Sequence, residues 1–462
     1  MVAAFTVAVA TTGCKGRARD LLVPVDASMP VAPIPTEEPR QIHYTFTAPD
    51  AVTFDWRGSD RTLRFWAKTV APRTVEARAP VPPPPVSPAA SAVWQEAVAD
   101  GLQPGVEYIY EVGHPVRPQT LSFRAPPARG AVGFTFVAVG DIGASTSCPA
   151  AALVHKMIAR AEPAFVLGLG DLTYADEGSP ADVDRHFDDA MAWSRRAAYM
   201  PVWGNHEWEG KGDNLANYKA RFALPHAAAS PGAPAASCCG EDWYWFDQGA
   251  VRVIVYPEPY TKETWPDWAR KAEPLFAAAE ADPAVRFIVT AGHRPAYSSG
   301  HHGGAPQLRA ILDDFGKRFG KYVLNLSGHS HGYERTKPQA HVVHVIAGIG
   351  GGALEHAPTE CLWTDCKTPS YVAFRAIHHG FVKLSVRADS IALEVECAGA
   401  SPKDDNIRCP DGEIMDQVVI PAGSSVAVAS ARRGNERQQR GSAGGGDRST
   451  DDEPIRKRPA SH

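Results

Sequence analysis

Five short polar motifs between residues 140 and 331 carry side chains that could do chemistry together. Each motif follows an apolar run of the kind that forms a buried strand. Open α/β sheets place their ligands at the carboxyl ends of strands, so five such ends would gather carboxylates, a phenol, an amide and several imidazoles. The motifs are Gly140-Asp141-Ile142-Gly143, Gly170-Asp171-Leu172-Thr173-Tyr174, Gly204-Asn205-His206-Glu207, Gly292-His293 and Gly328-His329-Ser330-His331.

This mixture of oxygen and nitrogen donors predicts a metal site for iron, zinc or manganese. The ligands are too many for one tetrahedral zinc, but they suit two ions that share a bridging carboxylate. Two ions about 3.5–4 Å apart can stabilise the attacking and the leaving oxygen of an in-line displacement, and each ion acidifies its bound water. The candidate ligands are Asp141, Asp171, Tyr174, Asn205, His293, His329 and His331.

The elements that must position these residues lie within residues 131–427, where apolar runs alternate with amphipathic segments. Buried strands that alternate with helices indicate a layered α/β domain. Phe381 to Cys397 predicts a late hairpin. The predicted helices are Ala151 to Ala161, Asp182 to Ala197 and Gln307 to Phe319. The predicted strands are Phe134 to Val139, Phe165 to Leu169, Tyr199 to Trp203, Val251 to Tyr256, Phe287 to Thr290 and Tyr322 to Leu326.

Residues 41–126 have a different pattern, which predicts a small β-sandwich with little chemistry of its own. Apolar and polar residues alternate over Ile42 to Phe46 and over Leu63 to Ala67, as in strands with one buried face. Within Leu102 to Tyr110, a Pro-Gly turn leads into a strand whose tyrosine can close back on that turn. This segment resembles the corner near the penultimate strand of fibronectin type III sandwiches.

The order of the five metal motifs resembles that of the metallophosphoesterases, the calcineurin-like phosphoesterase superfamily, and more narrowly that of the purple acid phosphatases. Gly143 stands where many metallophosphoesterases have histidine, and Tyr174 stands where purple acid phosphatases have a tyrosinate ligand. The resemblance covers about residues 41–398. It implies an αββα four-layer metallophosphatase domain preceded by a fibronectin type III-like sandwich. Further matching segments are Tyr218 to Phe222, Trp243 to Asp247 and Tyr333 to Arg335.

The resemblance also implies a role for each ligand. Asp141, Tyr174 and His331 bind Fe(III), and Asp171 bridges to a divalent ion of Zn, Mn or Fe. Asn205, His293 and His329 complete the site of that second ion.

Three further histidines are candidate catalytic residues on the same grounds. His206 orients the phosphate in this family pattern. His301 and His302 follow His293 by eight and nine residues, one residue closer than the histidine pair of plant-like members. We expect one of them to contact phosphate or to protonate the leaving group. The alternative is a solvated loop between glycines.

Together these features predict an acid phosphatase that hydrolyses small phosphomonoesters by attack of metal-bound hydroxide. One alternative is a phosphodiesterase or nucleotide hydrolase on the same metal site. Another is a surface lipoprotein that binds a ligand without catalysis. The formal net charge of −5 is too small to imply a polyanionic partner, so no nucleic-acid partner is predicted. The sequence leaves the oligomeric state open.

The two ends of the chain predict export and a polar tail. Residues 1–14 are apolar and uncharged up to Cys14, which resembles the lipid-anchored cysteine of a bacterial lipoprotein signal, and the alternative is a ragged N-terminus. We therefore expect an exported, periplasmic or cell-surface protein with a possible lipid anchor at Cys14. Residues 15–40 form a linker, and residues 428–462 are poor in apolar side chains and predicted to be disordered.

The eight cysteines fit an oxidising compartment. The spacing of two pairs suits local disulfides, whereas the adjacent Cys238 and Cys239 favour partners elsewhere, with Cys148 a possible mate. The locally spaced pairs are Cys361 with Cys366 and Cys397 with Cys409.

Overall fold

The computed structural model describes residues 39–80, 93–112, 119–177, 179, 181–209, 214–234, 240–355, 367–401 and 403–423. The predicted signal segment with Cys14, nearly all of the linker, the pair Cys238 and Cys239, the pair Cys361 and Cys366, and the tail over 428–462 lie outside these residues. Among the helices of the described part, none combines the length and the apolar character needed to cross a membrane.

The N-terminal region folds into two antiparallel sheets that pack face to face. One sheet has the strand order β1-β2-β5 and the other has the order β4-β3-β6-β7. Phe54 of the first sheet packs against Tyr110 and Phe123 of the second, with ring centroids 4.7 and 5.2 Å apart. The strands are β1 (Arg40–Ala48), β2 (Ala51–Arg57), β3 (Thr62–Ala67), β4 (Val70–Glu76), β5 (Trp94–Ala99), β6 (Glu107–Val112) and β7 (Gln119–Arg124).

The tyrosine that closes back on the Pro-Gly turn is Tyr108. The backbone N–H of Gln103 donates a hydrogen bond to its hydroxyl oxygen over 3.0 Å. Gly105 has a φ of 72°, a left-handed conformation that glycine adopts without a steric penalty. The predicted corner is therefore confirmed as local geometry, and a specifically fibronectin-type sandwich stays a prediction.

The second region contains two larger mixed sheets. In the first, β8, β9 and β10 are parallel, and the order is β10-β9-β8-β18-β19-β20. In the second, β12, β13, β14 and β16 are parallel, and the order is β11-β12-β13-β14-β16-β15-β17. The helices are α1 (Pro149–Arg160), α2 (Ala181–Ser194), α3 (Asn205–Trp208), α4 (Asn214–Lys219), α5 (Thr264–Ala281) and α6 (Pro306–Arg318). The strands are β8 (Phe134–Val139), β9 (Phe165–Leu169), β10 (Ala198–Val202), β11 (Trp245–Gln248), β12 (Val251–Val255), β13 (Phe287–Ala291), β14 (Tyr322–Ser327), β15 (Tyr333–Thr336), β16 (Val343–Ala347), β17 (Val372–Ala376), β18 (Gly380–Val386), β19 (Ser390–Cys397) and β20 (Ile414–Pro421).

The two sheets and their helices form the αββα layers expected from the resemblance. Helix α1 packs on the first sheet at β18, and α6 packs on the second at β14. Helix α2 pairs with α1, and α5 pairs with α6. Phe165 of the first sheet meets Phe246 of the second with ring centroids 5.6 Å apart. Both sheets are thus covered by helices on one side and face each other on the other.

The cysteines within the described residues support one predicted pairing. Cys397 and Cys409 form a disulfide, as their spacing predicts. Cys148 is also disulfide-bonded, which agrees with its predicted participation in a bridge. Its partner lies outside the described residues.

Candidate metal centre

The predicted ligands follow the parallel strands of both sheets, in loops except for Asn205, which begins α3. Asp141 follows β8, Asp171 follows β9, His293 follows β13 and His329 follows β14. Asp141, Asp171 and His329 have φ angles of 56°, 48° and 70°, a left-handed conformation unusual for residues other than glycine. Such strain costs about 1–3 kcal/mol per residue and concentrates at functional sites. The chain is thus bent sharply at three candidate ligands.

One group of donors contains Asp141, Asp171 and His331, whose ligand atoms all lie within 4.8 Å of one another. The hydroxyl of Tyr174 is 3.0 Å from Nε2 of His331. The Nδ1 of His331 is 2.6 Å from the carbonyl oxygen of Ala353. An N–H at Nδ1 that donates to this carbonyl leaves the Nε2 lone pair directed at the other donors, as in ligating histidines.

A second group contains Asp171, His293 and His329. Nε2 of His293 lies 3.1 Å from Oδ2 of Asp171 and 3.2 Å from Oδ1 of Asn205. Nδ1 of His293 is 2.8 Å from the carbonyl oxygen of Leu169, which fixes this ring in the same way as that of His331. Asp171 belongs to both groups and therefore has the position of a bridging carboxylate.

The electrostatics of these groups fit cations. Oδ1 of Asp141 is buried and, among the described residues, has no hydrogen-bond partner. Burial alone would lower the pKa values of His293 and His331. The Asp171 carboxylate nevertheless raises the pKa of His293 to about 10, and Asp141 raises the pKa of His331 to about 9. Burial also raises the pKa of Tyr174 well above its ordinary value. The carboxylates thus attract positive charge, and the donor set suits borderline metals.

The predicted phosphate-orienting histidine lies beside the first group. Nδ1 of His206 is 3.0 Å from both carboxylate oxygens of Asp176, and its Nε2 is 3.9 Å from Oδ2 of Asp171. Burial lowers the pKa of His206, but Asp171 and Asp176 outweigh it and bring this pKa to about 10. Asp176 therefore holds the ring in one orientation at the edge of the site.

His301 and His302, the adjacent histidines of the loop after His293, have different contacts. The ring of His302 stacks on that of His329, with centroids 4.3 Å apart. The ring of His301 stands perpendicular to His302 at 4.9 Å. His302 thus directly contacts a candidate ligand, despite a spacing from His293 that is one residue shorter than expected.

Sequence reasoning assigned no role to Glu207, although it belongs to the third motif. Its carboxylate is fully buried and accepts hydrogen bonds from the backbone N–H groups of Asp171, Leu172 and Gly204 over 2.9, 2.9 and 2.7 Å. It therefore ties the loop after β9 to the loop after β10. The signal that could have revealed it is an acidic residue three positions after a glycine that must follow a strand.

Arg294 and two carboxylates form a second supporting group next to His329. Nη1 of Arg294 is 3.1 Å from Nε2 of His329, and its Nε is 3.0 Å from the buried carboxylate of Glu258. Its Nη2 donates to Glu209 over 2.9 Å. This network fixes the loop that begins at His293.

Comparisons with known proteins agree with the fold that carries this site. Residues 134–333 match the model of the calcineurin-like phosphoesterase family. A purple acid phosphatase from yellow lupin (Lupinus luteus) seeds has a similar structure, with 19% identity, a TM-score of 0.64, and coverage of 83% of this chain and 74% of that chain. The structure of PhoD is also similar, with 15% identity, a TM-score of 0.57, and coverage of 86% and 95%. No curated protein sequence matches significantly. Residues 134–333 therefore match a calcineurin-like phosphoesterase domain, and the fold of the chain is similar to that of the lupin purple acid phosphatase and of PhoD.

Proposed function

We propose that this protein is a phosphatase that hydrolyses small phosphomonoesters with the help of Fe(III) and a divalent ion. The observation that carries the proposal is the shared carboxylate: Asp171 belongs to both buried donor groups. A carboxylate between two sets of imidazole and oxygen donors suits a pair of ions, and paired ions suit phosphoryl chemistry.

Asp141, Tyr174 and His331 would hold the ferric ion, and Asn205, His293 and His329 would hold the divalent ion. When bound, the two ions supply Lewis acidity and a water that loses its proton near neutral pH. The protein orients His293 and His331 through Nδ1 contacts to backbone carbonyl oxygens.

His206 and His302 would both act on the substrate, His206 from beside Asp171 and His302 from beside His329. His206 is oriented by Asp176 and would hydrogen-bond a phosphoryl oxygen. His302 lies against His329, in reach of the same centre, and would protonate the leaving alkoxide. His301 contacts the ring of His302 and is the second candidate for this role.

The first test is a visible absorption spectrum with metal analysis of protein purified with iron present. We expect about two metal ions per chain and a broad charge-transfer band from a Tyr174 phenolate on Fe(III). The band should disappear in Tyr174→Phe, whereas Tyr333→Phe, a buried tyrosine that donates to Asp416, should keep it. Two metals without colour would contradict the iron assignment, and no metal would contradict the whole proposal.

The second test separates the ester classes. We expect the metal-loaded protein to hydrolyse 4-nitrophenyl phosphate faster than bis(4-nitrophenyl) phosphate, with faster turnover at acidic than at alkaline pH. A preference for the diester or for nucleotides would favour the alternative hydrolase on the same site. No turnover with both ions bound would favour a binding protein.

We also propose that the protein is exported. The disulfide between Cys397 and Cys409 supports this location, because disulfides persist mainly in oxidising compartments. Cell fractionation with wild type and Cys14→Ser is the test. We expect wild type in the membrane fraction and the variant released from it. Wild type in the cytosol would contradict export.

A further inference from the structure

Glu355 is a buried acidic residue on the loop that follows β16, and its backbone is paired with a candidate metal ligand. Only 8% of the residue is exposed. Its N–H donates to the carbonyl oxygen of His331 over 3.0 Å, and the N–H of His331 donates to its Oε2 over 3.1 Å. One oxygen of the carboxylate is therefore committed to the loop that holds His331.

The other oxygen of Glu355 faces His302. Oε1 lies 3.3 Å from Nε2 of His302, and the two side chains are 5% and 33% exposed. A face of the His302 ring stacks on the ring of His329. The imidazole is therefore held between a carboxylate and a candidate metal ligand, with part of its ring open to solvent at the edge of the centre.

The loop that carries His302 is anchored at its base by the buried carboxylate of Glu334. The backbone N–H of Ser299 donates to the buried carboxylate of Glu334 over 3.0 Å, and the Ser299 hydroxyl also contacts that carboxylate. Beyond this point, Gly300 precedes the histidine pair and Gly303 follows it, and a side chain added at Gly303 would meet no neighbour. The flanking glycines carry no side chains that would fix the direction of the His302 ring, so that direction depends on the contacts of the ring itself.

We propose that Glu355 is a positioning residue that fixes the orientation of His302 for proton transfer to the leaving group. This inference rests on the proposed phosphatase function. The 3.3 Å approach of Nε2 to Oε1 of Glu355 is an ion-pair contact rather than a hydrogen bond, and it leaves Nδ1 as the ring nitrogen for the substrate. Glu355 thus orients His302 through the ring nitrogen that does not face the substrate, an arrangement that recurs in enzymes with catalytic histidines.

The oxygen of a water molecule forms a bond to phosphorus, and the bond from phosphorus to the alcohol oxygen breaks with its electron pair. The alcohol oxygen takes the proton from Nδ1 of His302. The proton released by the attacking water restores the His302 ring, so no other reactant is consumed.

The experiment compares wild type, Glu355→Gln, His302→Gln and the double variant on two monoesters. Phenyl phosphate has a poor leaving group that needs a proton, and 4-nitrophenyl phosphate has a good one. We expect Glu355→Gln to lower kcat about 10- to 100-fold for phenyl phosphate, less than the full contribution of an acid. For 4-nitrophenyl phosphate we expect a change of about threefold or less, because little proton transfer is needed.

The double variant tests whether Glu355 acts through His302. We expect Glu355→Gln to add no loss once His302 is glutamine, since residues that act as a unit are not additive. His302→Gln also keeps the inference testable if Glu355→Gln does not fold, because it should show the same dependence on the leaving group. His302→Gln with equal losses for both esters would overturn the inference.

Metal content and binding of inorganic phosphate, measured by calorimetry, supply readouts independent of turnover. We expect Glu355→Gln to keep about two ions per chain and to bind phosphate within about threefold of wild type. Loss of an ion would overturn the inference and make Glu355 a support of His331 only. A third ion in wild type that Glu355→Gln loses would also overturn it, because Glu355, His301 and His302 would then be ligands.

A failure of the proposed function can be distinguished from a failure of the inference about Glu355. Loaded wild type that hydrolyses neither ester would overturn the proposed function together with this inference. Active wild type with an unchanged leaving-group dependence in Glu355→Gln would overturn the inference alone.

Discussion

Glu207 accepts hydrogen bonds from backbone N–H groups of two loops, and one of these donors is the amide of the candidate bridging residue Asp171. We expect Glu207→Gln to weaken metal binding about 10- to 100-fold, because groups that orient ligands contribute this much. A glutamine amide group would point an N–H at other N–H donors and push the loops apart. Calorimetric titration of the metal-free protein with Zn²⁺ measures the change.

A matched control is Glu280→Gln. Glu280 of α5 is also a buried carboxylate. It accepts a hydrogen bond over 3.0 Å from the backbone N–H of Lys321, which directly precedes β14. We expect this variant to bind Zn²⁺ like wild type. Equal weakening in both variants would contradict a specific role of Glu207 and indicate a general loss of stability.

The convergence of the candidate ligands was predictable from the sequence because each of the five motifs begins directly after an apolar run and their order is specific. The supporting carboxylates were less predictable. Glu207 acts on residues 35 and 36 positions away, and Glu355 acts on His331 and His302 from another loop. Such contacts depend on how the loops fold back on each other, and no local periodicity encodes them. The direction of the His302 ring could not be predicted for the same reason.

At the scale of elements, β1 packs directly on α2 and β10, so the N-terminal sheets and the phosphoesterase layers share an interface. Arg221 lies in it with 1% exposure. It donates to Gln41 of β1 over 2.8 Å and to Asp184 of α2 over 2.9 Å. Its guanidinium also lies over the ring of Trp94, 4.1 Å from the centroid. One side chain thus joins three elements.

We expect Arg221→Ala to destabilise the protein by roughly 2–5 kcal/mol, because it opens a cavity and removes the buried hydrogen bonds to Gln41 and Asp184, while Asp184 keeps its ion pair with Arg57. The measurement is the urea midpoint of unfolding. Arg73→Ala is the control: Arg73 pairs with Asp100 at an exposed site and should change stability by about 1 kcal/mol or less. Equal shifts in both variants would show that Arg221 contributes no more than a surface ion pair.

Most elements around the centre were predictable, since apolar runs and amphipathic periods mark β8, β9, β12 and α6 within a residue or two. Helix α5 was not predicted. It has Pro266 in its first turn and Pro274 in its interior, and interior proline normally argues against a helix. Its buried face, including Trp268 and Phe276, packs against the second sheet and α6, so tertiary contacts outweigh the local cost. The short strands β15 and β17 carry too few residues for a clear alternation.

For the whole molecule, we expect the stability of the fold to decrease at the acidic pH that is proposed for activity. His186 of α2 is fully buried where the helix meets β10 and the loop after β8. Its Nδ1 is 3.2 Å from the carbonyl oxygen of Gly143, and its Nε2 is 2.8 Å from the Tyr199 hydroxyl. Burial lowers the pKa of His186 to about 4. The folded protein therefore keeps this ring neutral under conditions in which an unfolded chain protonates it.

This difference in the pKa of His186 between the folded and unfolded states makes the protein less stable as the pH falls. Above about pH 6.5, His186 is neutral in both states and its contribution to stability is fully present. As the pH falls from about 6.5 to 4, the unfolded chain binds a proton that the folded protein does not, so stability decreases. We expect the stability advantage of wild type over His186→Gln to shrink by up to roughly 3 kcal/mol over this range and to stay constant below it. Urea unfolding of both metal-free proteins from pH 7 to pH 4 measures this advantage. Because both proteins share every other titrating group, a constant or growing advantage toward acid would show that His186 is protonated in the folded state.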